Sequence, residues 1–455
     1  MLKRKLYREL LAWHHEHGRK ALLLTGARQV GKSTLVRKLG NESYERFVEI
    51  NLALNDAARE ALASSRDMND FLRRVSLFAD GPMPHGSTLV FIDEVQELPG
   101  VMTMAKALVE DGRYDYAFSG SMLGTEFKGV RSYPVGFVRE MTLRPMDFEE
   151  FMWAAGASET AIAEVGDCVA DQKPVEGYLH DAMLSYWRTY LVVGGMPEVV
   201  QAFVDSGGDL AEVREIQSGL VMGYRRDIAK YAGRRALNVQ AIFDQLPLQL
   251  DNDSRRFVLN SINDEARYNA YRQDFVWLVN AGVGLKTNLV REPKRPLQIT
   301  ERPGMFKLYQ SDTGMLVSRY PVQTARDIYL DSKVPNLGGV YENALAQELV
   351  CKGHDLFYYV GKKRGEVDFV IESDAGRVVP VEAKSGRNTR AHAALNNLLA
   401  AKEYALDLGV VFSRLNVERD GKVLYLPWYA VPFTGRAIGN DAHDTRGLRM
   451  TLPSL

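Results

Sequence analysis

Cysteine is almost missing: Cys168 and Cys351 are the only two, and they lie far apart. This excludes a disulfide framework and a cysteine metal cluster, and it fits a reducing cytoplasm. Long apolar runs are missing too. The run at 21–24 falls far short of the roughly 20 residues a membrane helix needs, and the charged N-terminal segment has no apolar stretch of signal-peptide length. The sequence therefore reads as a soluble cytoplasmic protein with no membrane partner. No sign of charge dominates: Lys+Arg is 57, Asp+Glu is 58, and the formal net charge is −1. Any contact with nucleic acid must come from a local patch. Internal repeats and low-complexity tracts are absent. What remains is ordinary globular composition, 46% hydrophobic and 25% charged over 455 residues. That is enough apolar side chain to offset ordering entropy and enough chain for about three domains.

Leu6, Leu10 and Trp13 recur at helical spacing within 3–17. The run 21–24 is bounded like a buried parallel strand, and 34–39 continues as helix. Segments 47–52, 88–92 and 116–118 read as further strands, with a helix over 56–78. Strands alternating with helices predict an α/β layer around a parallel sheet. After about residue 153 the texture turns helical, broken by Gly194-Gly195, Gly207-Gly208 and Asn252. Segments 282–290 and 306–309 fit a small β-wing beside these helices. From Gly338 onward, 340–351 and 391–404 read as helices, and 357–360, 367–371, 378–381 and 408–412 as strands. The expected fold class is α/β. A nucleotide-binding domain with a parallel sheet spans 1–154, and a helical, winged-helix-like middle spans 155–335. A small α/β unit follows over 336–430, with a peripheral tail over 431–455.

Gly26-Ala27-Arg28-Gln29-Val30-Gly31-Lys32-Ser33 matches GxxxxGK[ST] in full, between an apolar strand and a helix. The glycines let the backbone wrap a phosphate, loop N–H groups point at the anion, and the helix adds its positive dipole end. Lys32 is expected to reach the β/γ-phosphates and Ser33 to hold Mg²⁺, with Thr34 completing the nucleotide-binding set. Four apolar residues, Leu89 to Ile92, lead into Asp93-Glu94. Asp93 is placed to bind the Mg²⁺ hydration shell and Glu94 to polarise an attacking water. The strand Tyr116-Ala117-Phe118 ends in Ser119-Gly120-Ser121, where Ser119 or Ser121 can sense the γ-phosphate or simply close a turn.

Several phrases occur together: GARQVGKSTL, LVFIDEVQELP, FSGSMLG, the stretch 134–151, YLVVGGMPEVV and YENALAQEL. In this order they resemble the prokaryotic AAA+-like P-loop ATPases that carry a C-terminal domain of unknown function. The resemblance implies ATP and Mg²⁺ as cofactors, hydrolysis through Lys32, Ser33, Asp93 and Glu94, and a possible homo-oligomer. Members often carry a basic residue after the glycine of the PVG phrase, where Phe137 stands here. Arg139 and Arg131 are nearby alternatives for an arginine that completes the ATP site.

The C-terminal unit contains Glu366-Val367-Asp368-Phe369 and, after a turn at Asp374-Ala375-Gly376, Val381-Glu382-Ala383-Lys384. The interval suits a hairpin, and period-two alternation puts Glu382 and Lys384 on one face. Asp368 and Glu382 can hold Mg²⁺ while Lys384 stabilises charge or positions water, the chemistry of phosphodiester cleavage. The pattern resembles the PD-(D/E)xK restriction-endonuclease-like fold, in which a preceding helix often adds an acid. Glu342 is the candidate, ahead of Glu348. A charged hairpin without metal, or a fold that binds nucleic acid without cutting, fits the same residues.

Weaker features complete the reading. Arg225, Arg226, Lys230, Arg234 and Arg235 can line DNA phosphates, although a solvated helix face is the commoner cause of such a stretch. Lys286, Lys294 and Arg295 lie near the expected wing. His14, His15 and His17 are too few ligands for a metal site, and Gly194-Gly195-Met196-Pro197 reads as a structural turn. The leading expectation is an ATPase coupled to DNA binding or processing, in genome maintenance or defence. The rival is an ATP-controlled switch that recruits a protein partner and cuts nothing. Remodelling by a ring ranks last, for want of a convincing pore loop.

Overall fold

The computed structural model describes residues 1–16, 20–121, 134–252, 254–262, 267–332, 337–373, 375–386 and 388–439. Helix α1 (Leu6–His14) precedes β1 (Ala21–Thr25), α2 (Lys32–Ser43), β2 (Arg46–Asn51), α3 (Asp56–Ala63), α4 (Met68–Val75), β3 (Thr88–Asp93), α5 (Gly100–Asp111), β4 (Asp115–Ser119) and β5 (Val138–Thr142). The five strands form one parallel sheet in the order β2-β3-β4-β1-β5. Strand alternation divides its apolar side chains. Leu22, Leu24, Leu89 and Phe91 pack with Leu10, Trp13, Leu35 and Leu39 of α1 and α2. Leu23, Val48, Ile50, Val90 and Phe118 pack with Phe71, Val75 and Met102 on the other side. Each such side chain contributes roughly 1.5–3 kcal/mol on burial. With both faces covered, the strands read as continuous apolar runs, as parallel strands do.

The expected strands and helices of this layer are found, with two differences. The helix expected over 56–78 breaks between α3 and α4, because the Asp67 side chain accepts from the Asp70 N–H and starts a new helix. Strand β5 has no sequence counterpart in the reading above: it is a sheet edge, and only Met141 of its five residues is buried.

Helices α6 (Phe148–Ala154), α7 (Glu159–Ala170), α8 (Gly177–Val193), α9 (Pro197–Asp205), α10 (Leu210–Tyr231), α11 (Ala236–Asp251) and α12 (Tyr268–Asn280) make up the helical middle. Then come β6 (Gly284–Val290), β7 (Glu301–Gln310), α13 (Thr313–Val317), α14 (Val322–Tyr329), α15 (Gly338–Cys351), β8 (Phe357–Gly361), β9 (Gly365–Glu372), β10 (Val378–Ala383), α16 (Ala393–Leu399), β11 (Gly409–Ser413), β12 (Glu418–Asp420), β13 (Val423–Pro427) and α17 (Thr434–Ile438). The second sheet is mixed, ordered β12-β13-β11-β10-β9-β8-β6-β7.

Strands β6 and β7 fall where the wing is expected but do not stand apart. β6 pairs in parallel with β8, so the hairpin extends the C-terminal sheet. Residue 335 thus lies in sequence between strands of one sheet. The helix expected over 391–404 shortens to α16. Strands β12 and β13 add an edge that the reading lacks. The tail expected from 431 is not peripheral over its first residues. Trp428–Phe433 forms a buried helical turn leading into α17, with the Trp428 ring stacked on Trp187 at 6.4 Å. An apolar run of that size lowers its free energy by leaving water. Residues 440–455 lie outside the described residues. Among the described residues no helix is long and apolar enough to cross a membrane.

Candidate functional site

The loop 26–33 connects the C-terminal end of β1 to the N-terminus of α2. Gly26 has φ 139, and a Cβ there would lie 2.1 Å from the Leu143 carbonyl oxygen, so no other residue fits. Gly31, also at positive φ, delivers the chain into α2. Lys32 is buried, and its Nζ donates to the Gly26 and Ala27 carbonyls at 3.0 and 2.8 Å. Burial lowers its pKa against the pull of Glu94 and Asp93. Ser33 Oγ donates to Asp93 Oδ2 at 2.8 Å, and Asn51 Nδ2 donates to the same oxygen at 2.9 Å. Ser119 Oγ hydrogen-bonds to Asp93 Oδ1. The two hydroxyls and the amide therefore converge on one carboxylate. Glu94 follows at φ 55 and ψ 50, a left-handed conformation that costs a non-glycine residue energy and recurs at functional sites. Gln96 Nε2 donates to its carboxylate.

Strand order explains the convergence. β4 lies between β1 and β3, so the loop after β1, Asp93 at the end of β3 and Ser119 at the end of β4 share one sheet edge. Asn51 comes from β2, the next strand out; sequence reasoning missed it because a polar strand end carries no signal of its own.

A cleft of about 810 Å³ opens over this edge, within the range of ligand sites. Besides Arg28, Gln29, Gly31, Lys32, Ser33, Thr34, Asp93 and Glu94, its lining includes Arg4, Pro197, Glu198, Tyr224, Arg226 and Asp227. Ala27 lies next to a different, smaller cavity behind the loop, and Val30 is buried beneath it. Helix α10 grips the loop from outside. Arg28 ion-pairs with Asp227 and donates to Tyr231 Oη at 2.8 Å, and Tyr231 donates in turn to Glu97 at 3.0 Å. Burial would lower the Arg28 pKa, but Asp227, Tyr231 and Glu94 outweigh it.

At the C-terminal unit the structure brings Glu342, Asp368, Glu382 and Lys384 together. Asp368 Oδ2 accepts from the Ala383 N–H at 2.9 Å, and Lys384 Nζ lies 3.1 Å from Glu382 Oε2. Burial next to Asp368 pushes Glu382 up to about 8. Burial also tends to raise Asp368, but Lys307, the Ala383 N–H and Arg255 pull it below its ordinary value. Four participants were not anticipated. Lys307 of β7 reaches Glu342 at 2.9 Å, Glu366 at 3.1 Å and Asp368 at 3.7 Å. Arg255 pairs with Glu342 at 2.5 Å, and Arg256 pairs with Glu366 at 2.5 Å. Tyr309 also donates to Glu342. Among the described residues no group of three or more His, Cys, Asp or Glu side chains is arranged to hold a metal ion. Glu348, the second candidate on α15, lies outside this cluster: its Oε1 accepts from the Phe148 N–H at 2.9 Å and Tyr190 Oη at 2.8 Å.

The basic stretch on α10 and the turn after it is largely occupied. Arg225 pairs with Asp244, Lys230 with Glu97 and Arg235 with Asp274, and Arg226 lines the cleft. Arg139 pairs with Glu16 on the edge strand, whereas Arg131, His17 and Asp374 lie outside the described residues. The turn at Gly194-Gly195 is a close packing point. The Gly195 N–H donates to Asp312 Oδ2 at 2.6 Å, and its carbonyl accepts from Met146 at 2.7 Å.

Three stretches match known families: residues 18–152 an AAA domain, residues 184–325 a domain of unknown function (DUF8612) and residues 337–430 another (DUF4143). No curated protein matches the chain. Among solved structures it is similar to the Thermotoga maritima RuvB Holliday junction branch migration motor, at 11% identity, 73% of this chain, 96% of that chain and a TM-score of 0.31. It is also similar to Cdc6p from Pyrobaculum aerophilum, at 12% identity, 73% and 96% coverage and a TM-score of 0.25. A third is the Aeropyrum pernix ORC1 protein in complex with DNA, at 9% identity, 73% and 93% coverage and a TM-score of 0.25. Residues 18–152 match an AAA domain, and the loop between β1 and α2 at one edge of the parallel sheet has the geometry of a P-loop.

Proposed function

We propose that the chain binds and hydrolyses ATP with Mg²⁺, and that the nucleotide state acts on a restriction-endonuclease-like C-terminal unit that engages nucleic acid, DNA first. The observation that carries the ATPase reading is the Ser33–Asp93–Ser119 cluster, with Lys32 and Glu94 beside it at one edge of the parallel sheet. Hard oxygen donors there suit Mg²⁺, which would be held by Ser33 and Asp93 and would neutralise phosphate charge. Lys32, released from the loop carbonyls, neutralises the β/γ-phosphates. Glu94 accepts the proton of the attacking water. Ser119 keeps Asp93 oriented.

Coupling to the C-terminal unit has a physical carrier in α15. One end bears Glu342 in the carboxylate cluster, and six residues on, about 9 Å along the axis, Glu348 bonds the first residue of α6. Asp312, next to this helix, holds Gly195 beside the cleft wall at Pro197. We propose working units of 1–154, 155–335 and 336–430, the last completed by the β6–β7 hairpin. The decisive test is ATP turnover by the full chain with Mg²⁺. Glu94→Gln should keep ATP binding and lose roughly 10²–10⁴-fold in rate, and Lys32→Ala should lose binding. Wild-type turnover in Glu94→Gln overturns the assignment. A DNA-binding titration with and without ATP tests the coupling. The rival, a nucleotide-set switch that cuts nothing, is favoured by one observation, the position of Lys307.

A further inference from the structure

Lys307 lies between Glu342 and Asp368, two of the acids expected to hold a divalent metal. Its side chain is 0% exposed, and its ammonium is within 2.9 to 3.7 Å of Glu342, Glu366 and Asp368. Its backbone is held on both sides. β7 holds its backbone against Thr287 of β6, and Arg256 bridges to it from the other side. The Tyr358 ring covers it at 5.3 Å. The surrounding acids are already matched: Arg255 takes Glu342, Arg256 takes Glu366 and Lys384 takes Glu382. Four acidic groups thus face four cations, and burial favours the protonated form of one of them, Glu382. A divalent ion added here would bring uncompensated charge into a buried site or leave the Lys307 ammonium unpaired, and desolvation makes either unfavourable.

We propose that the Lys307 ammonium is the resident cation of this carboxylate cluster, so that the C-terminal unit takes no divalent metal and engages nucleic acid without cutting it. The inference deepens the C-terminal part of the function proposed above and is independent of the ATPase reading.

The test is a Mn²⁺ titration of the nucleotide-free full chain, followed by electron paramagnetic resonance. Wild type and Asp368→Asn should take up equal amounts, since any ion at the ATP site does not involve Asp368. Lys307→Met should gain one Mn²⁺ per chain, lose it again in Lys307→Met/Asp368→Asn, and melt higher with Mn²⁺ than without. Circular DNA should stay intact with wild type and Mn²⁺. The inference is overturned by wild-type Mn²⁺ uptake that falls by one equivalent in Asp368→Asn. It is equally overturned by DNA cleavage that Asp368→Asn abolishes, or by a Lys307→Met protein with normal ATP turnover and no added site. Should Lys307→Met not fold, the comparison of wild type with Asp368→Asn still decides. Loss of ATP turnover in Lys32→Ala tests the other reading and leaves this one untouched.

Discussion

Replacing Asp227 with Asn leaves the Arg28 guanidinium without its carboxylate, in the proposed phosphate-binding loop. The Arg28 and Asp227 side chains are 28% and 11% exposed, so the pair lies between an exposed bridge, worth up to about 1 kcal/mol, and a buried one, whose breakage costs about 3–5 kcal/mol. A loss of about 2 kcal/mol is expected in urea unfolding of the nucleotide-free chain. ATP binding should move the other way. Removing one negative charge near the loop relieves repulsion of about 0.8 kcal/mol per net phosphate charge, taking a separation of about 10 Å and an effective dielectric of about 40, so binding should tighten roughly fourfold or more. Raising the salt should shrink that gain through screening. In the Arg28→Ala background the Asp227→Asn penalty should largely vanish, because the pair is already broken. Unchanged stability in the single variant, or ATP binding weakened rather than tightened, refutes the view that Asp227 serves to neutralise Arg28.

Burial pushes Glu348 from 4.5 up to about 8. The fold therefore favours its protonated form: that stability is complete below pH 4.5 and is lost as the pH rises through about 8. The urea midpoint of wild type should fall over this window, and Glu348→Gln, which keeps the acceptor for Phe148, should fall less. Coincident slopes would remove Glu348 as the cause. Glu382 has the same sign and keeps part of the slope in the variant. A Cβ at Gly195 would meet the Met146 carbonyl oxygen at 2.0 Å, backbone that cannot step aside, so Gly195→Ala should cost more than about 3 kcal/mol in a thermal melt. Gly219→Ala, in open space within α10, should instead stabilise by up to about 1 kcal/mol; the reverse order of the two would discredit the packing argument.

The residues of the proposed ATP site could be picked out because they lie in contiguous phrases. The loop from Gly26 to Ser33 and the pair Asp93-Glu94 are short phrases whose glycine, lysine and acid spacing has few other uses. Burial on both faces made β1 and β3 readable as apolar runs, whereas the edge strands β5 and β12 carried no such pattern. The Asp368, Glu382 and Lys384 spacing likewise announced a hairpin that is present as β9 and β10.

What surrounds those phrases was decided only in three dimensions. Lys307 sits in a strand that the sequence placed in a small wing of the middle segment, and nothing local distinguishes a lysine bound for solvent from one bound for a buried acid cluster. The polar residues of α15, Glu342, Asn343, Gln347 and Glu348, are all buried, although an amphipathic reading gives such residues to water. Each is held by a partner from a distant segment, such as Lys307, Gln310, Thr313 or Tyr190. Local sequence determined which groups can wrap a phosphate or end a strand in acid, because those depend on neighbours along the chain. Which charge meets which carboxylate in the dry interior depended on strands and helices far apart in sequence, because desolvation makes an unpaired buried charge too costly to keep and so selects partners across the whole fold.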